Sequence, residues 1–283
     1  MSLVAVVARD TIVCEGPDTI RFLHSQLSQD VAGLAVGDTR WSFLLQPQGK
    51  PVGLLRVTRL ADDRVLLDTD PGAGEPVRAA LERFKIRTKT TLTLSERVRT
   101  LAFRGGAEGA AAAAASDGAH AVPFAWGGWT GVDVVGTDAV VDGAVDADAY
   151  EAVRIEHGVP RCGHEVTDAV IPAETGAVPV AVSFTKGCYV GQELVERIDS
   201  RGSRVPRILR RVRAAAGVAV VGADLLADDG RVVGTVTSAA PDPTDPQGRV
   251  VALAFVRREV EPPAALSIAG GPATVEALAP AEG

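Results

Sequence analysis

The side chain with the greatest chemical reactivity in this sequence, Cys188, follows Gly187 in the stretch FTKGCYVGQE. The segment AVPVAVSF before it predicts a strand, and QELVERI after it predicts a helix that starts near Gly191. Unpaired N–H groups at a helix start and the neighbouring Lys186 both carry positive potential, which favours a thiolate or a bound carboxylate. Glycine permits a close backbone approach or a positive φ, and Tyr189 offers a flat face for a ring. The pattern predicts a reactive thiol or an anion-binding loop, and the alternative is a tight turn around a buried cysteine.

Other candidate groups flank this loop. Glu174 lies in IPAET, between a predicted helix at 150–157 and the loop, where a carboxylate could face a cleft. Several arginines follow the loop, and they form either a solvated face or a basic rim for an acidic ligand tail: Arg197, Arg201, Arg204 and Arg207.

Cys162 and His164 in RCGH have the spacing of half a metal site. The sequence offers no second Cys/His pair to complete it, so no metal is predicted. His157 and His164 are the histidines near enough in sequence to pair with Cys188 as a catalytic base, and spacing alone does not decide between them.

Composition narrows the class of protein. The 283 residues carry a net charge of −7, which argues against nucleic-acid binding by charge alone. Three cysteines are too few and too far apart for a disulfide framework, and no apolar run approaches the roughly 18 residues of a membrane span. We therefore expect a cytoplasmic protein without membrane or direct nucleic-acid partners.

Hydrophobic patterning predicts an α+β fold. FLHSQLSQDVAGL and DADAYEAVRIEHG have helical periodicity, whereas TRWSFLLQPQGKPVGLLRVTRL predicts a hairpin with its turn at PQGK. TTLTLSER and VRTLAFRG predict two further strands, and GGAEGAAAAAASDGAH predicts a surface connection or a loose short helix. Past residue 204 only short β-prone segments follow, which predicts a small barrel.

The motif KGCYVGQE resembles the signature of the YgfZ family of folate-binding proteins, a branch of the glycine-cleavage T-protein superfamily. FLHSQLSQDVAGL, LLQPQGK, RIEHGVPRCG, IPAE, DGRVVGTVTS and VALAFVRR extend the resemblance over most of the chain. It implies two interlocked α+β units around a central opening within residues 1–203, the second unit spanning roughly 45–115, and a C-terminal β-barrel over residues 204–283.

The resemblance also implies a function. It implies that the protein binds tetrahydrofolate, or a one-carbon-substituted folate, and serves client enzymes in the assembly or repair of iron–sulfur clusters, including one that modifies tRNA. By this analogy Cys188 and Lys186 take part in chemistry, and Glu174 accepts hydrogen bonds from the pterin. The implied folate-binding set is Glu174, Lys186, Gly187, Tyr189, Gly191, Gln192, Glu193 and Arg197.

One departure from the aminomethyltransferases bears on catalysis. Their acidic residue would fall near Gly53 or Leu54 here, and neither can exchange a proton. Asp62 and Asp63 lie too far along the chain to substitute in the same register. The sequence thus leaves open an accessory folate-binding protein, a one-carbon transferase, and a redox module in which Cys188 is an oxidisable sensor.

Overall fold

The chain folds into one large sheet with helices and a smaller barrel. The computed structural model describes residues 2–106, 111, 118–215, 217, 219–242, 245 and 247–281. The strands are β1 (Leu3–Glu15), β2 (Thr39–Leu45), β3 (Pro51–Ala61), β4 (Arg64–Thr69), β5 (Thr91–Arg104), β6 (His120–Trp126), β7 (Trp129–Val135), β8 (Arg207–Ala214), β9 (Asp224–Leu226), β10 (Val232–Pro241), β11 (Val250–Arg257), β12 (Ala264–Ile268) and β13 (Gly271–Glu276). The helices are α1 (Thr19–Gln26), α2 (Gly74–Phe84), α3 (Ala147–Glu156), a 3₁₀ turn (Pro172–Thr175), α4 (Val178–Ala181) and α5 (Gln192–Asp199).

Seven antiparallel strands form the large sheet, in the order β2-β3-β4-β1-β5-β7-β6. The long strands β1 and β5 run side by side at its centre, from Leu3 opposite Arg104 to Glu15 opposite Thr91. The predicted hairpin is confirmed as β2 and β3, and the predicted α+β class is confirmed as well. Helices α1 and α2 cover one face, where Leu23, Leu27 and the other residues of that core are fully buried.

The last six strands close into a barrel, in the order β10-β11-β8-β13-β12-β9. Its interior is filled by small and branched side chains such as Val212, Leu225 and Val236. This confirms the predicted C-terminal β-barrel. Helix α3 joins it to the sheet, since Glu156 accepts hydrogen bonds from Arg213 and forms an ion pair with Arg211.

Three details of the predicted secondary structure are wrong. The helix predicted over FLHSQLSQDVAGL ends at Gln26, because Leu27 is extended and pairs with Leu44. AVPVAVSF contains the single helical turn α4 instead of a strand, because Pro179 in its first turn lacks the N–H that a strand would use. TTLTLSER and VRTLAFRG form one continuous strand, β5, because β1 pairs with it across the junction. The predicted alanine-rich connection lies for the most part outside the described residues. Across the described residues, we find no helix long and apolar enough to cross a membrane.

The start of α5 packs tightly on the β2–β3 turn. Gly191 is the N-cap of α5 with a left-handed φ of 81°, and a Cβ there would lie 2.4 Å from the Gln46 carbonyl oxygen. Gly49 in the turn has a φ of 80°, and a Cβ there would lie 2.5 Å from the Leu194 Cβ. The predicted helix start at Gly191 is confirmed, and its close approach is to this turn. Gly187 has open space around its Cα.

The two loop glycines provide a matched pair for a stability test. We expect Gly191→Ala to lower the free energy of unfolding by about 2–4 kcal/mol, because it adds both backbone strain and a clash. Gly187→Ala should change it by less than about 1 kcal/mol. Denaturant unfolding of both variants checks this, and equal losses would contradict the packing described here.

Candidate functional site

The loop that carries Cys188 is anchored to the segment after α1. The Ser28 hydroxyl donates a 2.6 Å hydrogen bond to the Ala181 carbonyl, and Ser183 N–H donates to the Ser28 carbonyl at 3.0 Å. The Gln29 side chain donates to the Val180 carbonyl at 2.9 Å. These bonds fix where the loop leaves α4.

Lys186 is directed at the end of α1. Its ammonium donates to the carbonyls of His24, Leu27 and Gln29, the latter two at 2.6 and 3.1 Å. The same nitrogen lies 5.2 Å from the centre of the Tyr189 ring. Burial lowers the pKa of Lys186 to about 8. Three carbonyls at the negative end of a helix suit a cation, so Lys186 holds the loop against α1.

Beyond Lys186 the loop turns outward and returns to the core. Cys188 is exposed, whereas Tyr189 is buried. Burial raises the pKa of Tyr189 to about 12, and its hydroxyl has no hydrogen-bond partner among the described residues. Gln192 accepts a 3.1 Å bond from the Tyr189 N–H, while Glu193 and Arg197 are exposed on α5.

Glu174 is buried beside the barrel. One carboxylate oxygen accepts a 3.1 Å bond from the Arg207 guanidinium at the start of β8, and the other accepts from the Ile171 N–H at 3.1 Å. Both oxygens are thus engaged within the protein.

A further opening lies over the face of the large sheet. It is a cavity of about 560 Å³, called here the central cavity. Its lining residues are Val6, Val7, Ala8, Arg9, Trp41, Arg56, Asp70, Pro71, Arg97, Arg104, Phe124, Trp129, Asp133, Ala147, Tyr150, Glu151, Arg154, Val159, Pro160, Arg161, Cys162, Gly163 and His164. None of these described lining residues belongs to the set predicted to bind the folate.

A chain of alternating charges forms the floor of the central cavity. Arg9 contacts Asp70 at 2.6 Å and Asp68 at 3.0 Å, and Asp68 contacts Arg56 at 2.6 Å. Arg56 in turn contacts Asp133 at 2.7 Å.

The charge chain ends at Arg104, which contacts Asp133 at 2.6 Å and donates to the Tyr150 hydroxyl at 2.9 Å. Burial acts to raise the pKa of Asp133, but Arg104 and Arg56 outweigh it and hold that pKa at about 2. Asp133 is therefore ionised at neutral pH. The Nε atom of Arg104 has no hydrogen-bond partner among the described residues.

Aromatic rings line the wall of the central cavity. The Arg104 guanidinium lies 3.8 Å from the Phe124 ring centre, and Phe124 packs edge-on against Trp129 at 5.1 Å. Trp41 packs edge-on against Phe124 at 6.1 Å. Trp41 and Phe124 also line a second cleft of about 520 Å³ that reaches Phe184 and Thr185 at the start of the cysteine loop.

Gly53 and Leu54, the positions predicted to match the aminomethyltransferase acid, are surrounded by apolar packing. A Cβ on Gly53 would lie 2.9 Å from the Val77 side chain, and Leu54 is buried in the core. Carboxylates do line the cavity at Asp70, Asp133 and Glu151, but each is paired with an arginine. The described residues thus offer no unpaired carboxylate in the central cavity.

Cys162 and His164, which have the spacing of half a metal site, form hydrogen bonds with other groups of the protein. Cys162 Sγ lies 3.3 Å from the Leu54 backbone nitrogen, and burial raises the pKa of this thiol to about 12. His164 bonds to Arg161 and to the Thr237 carbonyl. Among the described residues no group of three or more His, Cys, Asp or Glu side chains could hold a metal.

Sequence reasoning missed the floor of the central cavity. The available signal was a charged residue that directly follows apolar residues of a strand: Arg56 after GLL, Asp68 after VLL, Arg104 after LAF and Asp133 after GV. A buried charge requires a partner, and these four strands supply both signs.

Comparisons with known proteins agree with this architecture, although no family model matches the chain. An uncharacterized protein of Haemophilus influenzae is 24% identical over 257 residues, covering 81% of this chain and 80% of that protein. Aminomethyltransferases of Streptomyces avermitilis and Streptomyces coelicolor are 36% and 35% identical over 114 residues. That match covers 38% of this chain and spans only 28% of either aminomethyltransferase.

Among solved structures, the chain is similar to the glycine cleavage system aminomethyltransferase T of Bartonella henselae. The TM-score is 0.74, with 20% sequence identity over 98% of this chain and 85% of that one. The chain therefore has the fold of the glycine-cleavage aminomethyltransferase T.

Proposed function

We propose that this chain binds tetrahydrofolate, or a one-carbon-substituted folate, in the central cavity. The observation that carries the proposal is a cavity of about 560 Å³ that combines aromatic walls with an arginine-rich lining. This volume lies within the range of small-molecule sites. The shared fold with an aminomethyltransferase and the resemblance of the KGCYVGQE motif support a folate as the ligand.

The chemistry of the lining fits a folate. Trp41, Phe124 and Trp129 offer ring faces and edges to a pterin or an aminobenzoyl group. The unpartnered Nε of Arg104 is a buried donor beside these rings, and it would be satisfied by an acceptor such as a pterin carbonyl.

We further propose that the protein is an accessory factor for iron–sulfur enzymes and that Cys188 takes part in this role. Cys188 is exposed, and Thr185, three residues before it, lines a second cleft that shares Trp41 and Phe124 with the central cavity. An exposed thiol can react with a client protein, and the described residues offer no ligand set for a resident cluster.

The alternative is a folate-dependent aminomethyl or methyl transferase. Such an enzyme needs a carboxylate free to take or stabilise a proton. Gly53 and Leu54 cannot supply it, and Asp70 and Asp133 are each paired with an arginine. These contacts favour the accessory role.

The assignment of Glu174, Lys186 and the other loop residues as folate contacts remains a prediction. Their side chains serve the protein itself: Glu174 holds Arg207, and Lys186 holds the end of α1. A direct folate contact would require Glu174 to exchange Arg207 for the pterin.

Thiol reagents provide a direct test of the accessibility of Cys188. We expect iodoacetamide at neutral pH to label Cys188 in the native protein and to spare Cys14 and Cys162, which are buried with raised thiol pKa values. Mass spectrometry of the digested protein checks this, with denatured protein as the control in which all three cysteines react. Labelling of Cys162 before Cys188 would contradict the structure.

Filling part of the central cavity should weaken folate binding. Ala8 lines this cavity on β1, and Ala8→Phe would occupy part of it. We expect calorimetric titration with tetrahydrofolate to show an affinity roughly tenfold or more below that of the wild type, because the ring competes for the same volume.

Ala61→Phe on β3, outside the described lining of either cavity, is the matched control and should bind as the wild type does. Unchanged affinity in a folded Ala8→Phe protein would rule out the central cavity as the site. A wild-type protein that binds no folate would refute the proposed function.

The thiol and the folate site should be separable by mutation. We expect Cys188→Ala to retain tetrahydrofolate affinity, because Cys188 does not line the central cavity, and to fail to restore iron–sulfur enzyme activity in cells that lack the native protein. Cys14→Ala is the control for a cysteine without access to solvent. Full rescue by Cys188→Ala would refute the role proposed for its thiol.

A further inference from the structure

The mouth of the central cavity carries an arginine in an unusual backbone conformation. Arg97 lines the cavity, is exposed, and has a left-handed φ of 51°. Residues with a Cβ rarely adopt this region, and such outliers cluster at functional sites.

A β-bulge produces this conformation. Arg9 pairs with Val98, whereas Thr11 pairs with Ser95, so that Asp10 on β1 faces two residues on β5, one of them Arg97. Bulges commonly lie beside active sites, where they re-aim a side chain. Here the bulge lies on the strand pair that forms the wall of the central cavity.

Asp10 fixes the bulge in place. It is fully buried, and its carboxylate accepts hydrogen bonds from the backbone N–H groups of Arg97 at 2.8 Å, Gly72 at 2.7 Å and Gly74 at 3.1 Å. One carboxylate therefore holds both the bulge and the loop that leads into α2. These bonds offset the strain at Arg97.

Arg97 also differs from the other arginines of the cavity in its charge pairing. The other five contact carboxylates: Arg9 with Asp68 and Asp70, Arg56 with Asp68 and Asp133, Arg104 with Asp133, Arg154 with Glu151 and Glu165, and Arg161 with Glu151. The guanidinium of Arg97 contacts no carboxylate of the described residues. The mouth of the central cavity therefore has an uncompensated positive charge.

We propose that Arg97 binds the anionic tail of the ligand that occupies the central cavity. This inference rests on the proposed function, in which the ligand is a folate whose one end is a neutral pterin and whose other end is a glutamate or polyglutamate chain. The buried floor and aromatic walls suit the ring. The exposed mouth suits carboxylates, which are costly to bury and which a guanidinium binds through two parallel hydrogen bonds.

Ligands of graded tail length test the assignment. We expect wild-type affinity to rise from tetrahydropteroate, which lacks the glutamate, to tetrahydrofolate and to its triglutamate. Arg97→Asn should weaken binding of the triglutamate by about three- to tenfold and that of tetrahydropteroate by much less, because one partly exposed ion pair is lost. The difference should shrink at high salt.

Three controls separate binding from folding. Asparagine tolerates a positive φ, so Arg97→Asn should unfold at the same temperature as the wild type or higher. Arg97→Lys keeps the charge and should restore most of the preference for the long tail. Arg87→Asn replaces another exposed arginine with a left-handed φ, of 54°, outside the described cavity lining, and should leave every affinity unchanged.

The outcomes distinguish this inference from the proposed function. Equal losses for tetrahydropteroate and the triglutamate, or no loss for either, would overturn the role of Arg97 while leaving folate binding intact. A wild-type protein that binds none of the three ligands would overturn both.

Discussion

The buried charge chain beneath the central cavity is the constraint on which the sheet depends. Arg56 and Asp68 are almost without solvent contact, and each needs the other to be tolerated inside the protein. Removal of one member of a buried pair typically costs about 3–5 kcal/mol, because an unpaired charge stays behind. The members of the charge chain come from five strands: Arg9, Asp68, Arg56, Asp133 and Arg104. The register of these strands is therefore fixed by ion pairs as well as by backbone hydrogen bonds.

The same charge chain shapes the binding surface. Arg104 is held by Asp133 and Tyr150 with its guanidinium over Phe124, so an ion pair and an aromatic contact share one side chain. A cation already held over a ring needs little further ordering when a ligand arrives. This arrangement gives the central cavity a preformed floor. The guanidinium of Arg97, which contacts no carboxylate of the described residues, lies at its mouth.

The sequence predicted the architecture better than the site. Local patterns were sufficient to predict the β2–β3 hairpin, the helix with its N-cap at Gly191 and the C-terminal barrel. Hydrophobic periodicity and turn-forming residues determine such elements within a few residues of sequence. The strand predicted at AVPVAVSF was wrong, since β-prone valines outweighed the effect of Pro179 in the prediction. Cavity residues such as Arg56 and Asp133 meet across strands 77 positions apart, a contact that no local pattern reveals.

The cysteine loop shows a related limit. Its residue types indicated a positively biased corner around Cys188, and that cysteine is indeed exposed. The ammonium of Lys186, however, is directed at three carbonyls of His24, Leu27 and Gln29, which lie about 160 residues earlier in the chain. Proximity in sequence therefore missed the role of Lys186 in docking the loop against the end of α1.

The side chain of Trp41 connects the central cavity with the second cleft. Its indole N–H donates to the Ala125 carbonyl at 2.9 Å, and its ring lines both the central cavity and the second cleft. A ligand that extended from the central cavity into the second cleft would pass these two rings, because Trp41 and Phe124 line both spaces. Rotation of the Trp41 ring would break its indole hydrogen bond to Ala125, so this bond keeps the shape of both spaces coupled to one side chain.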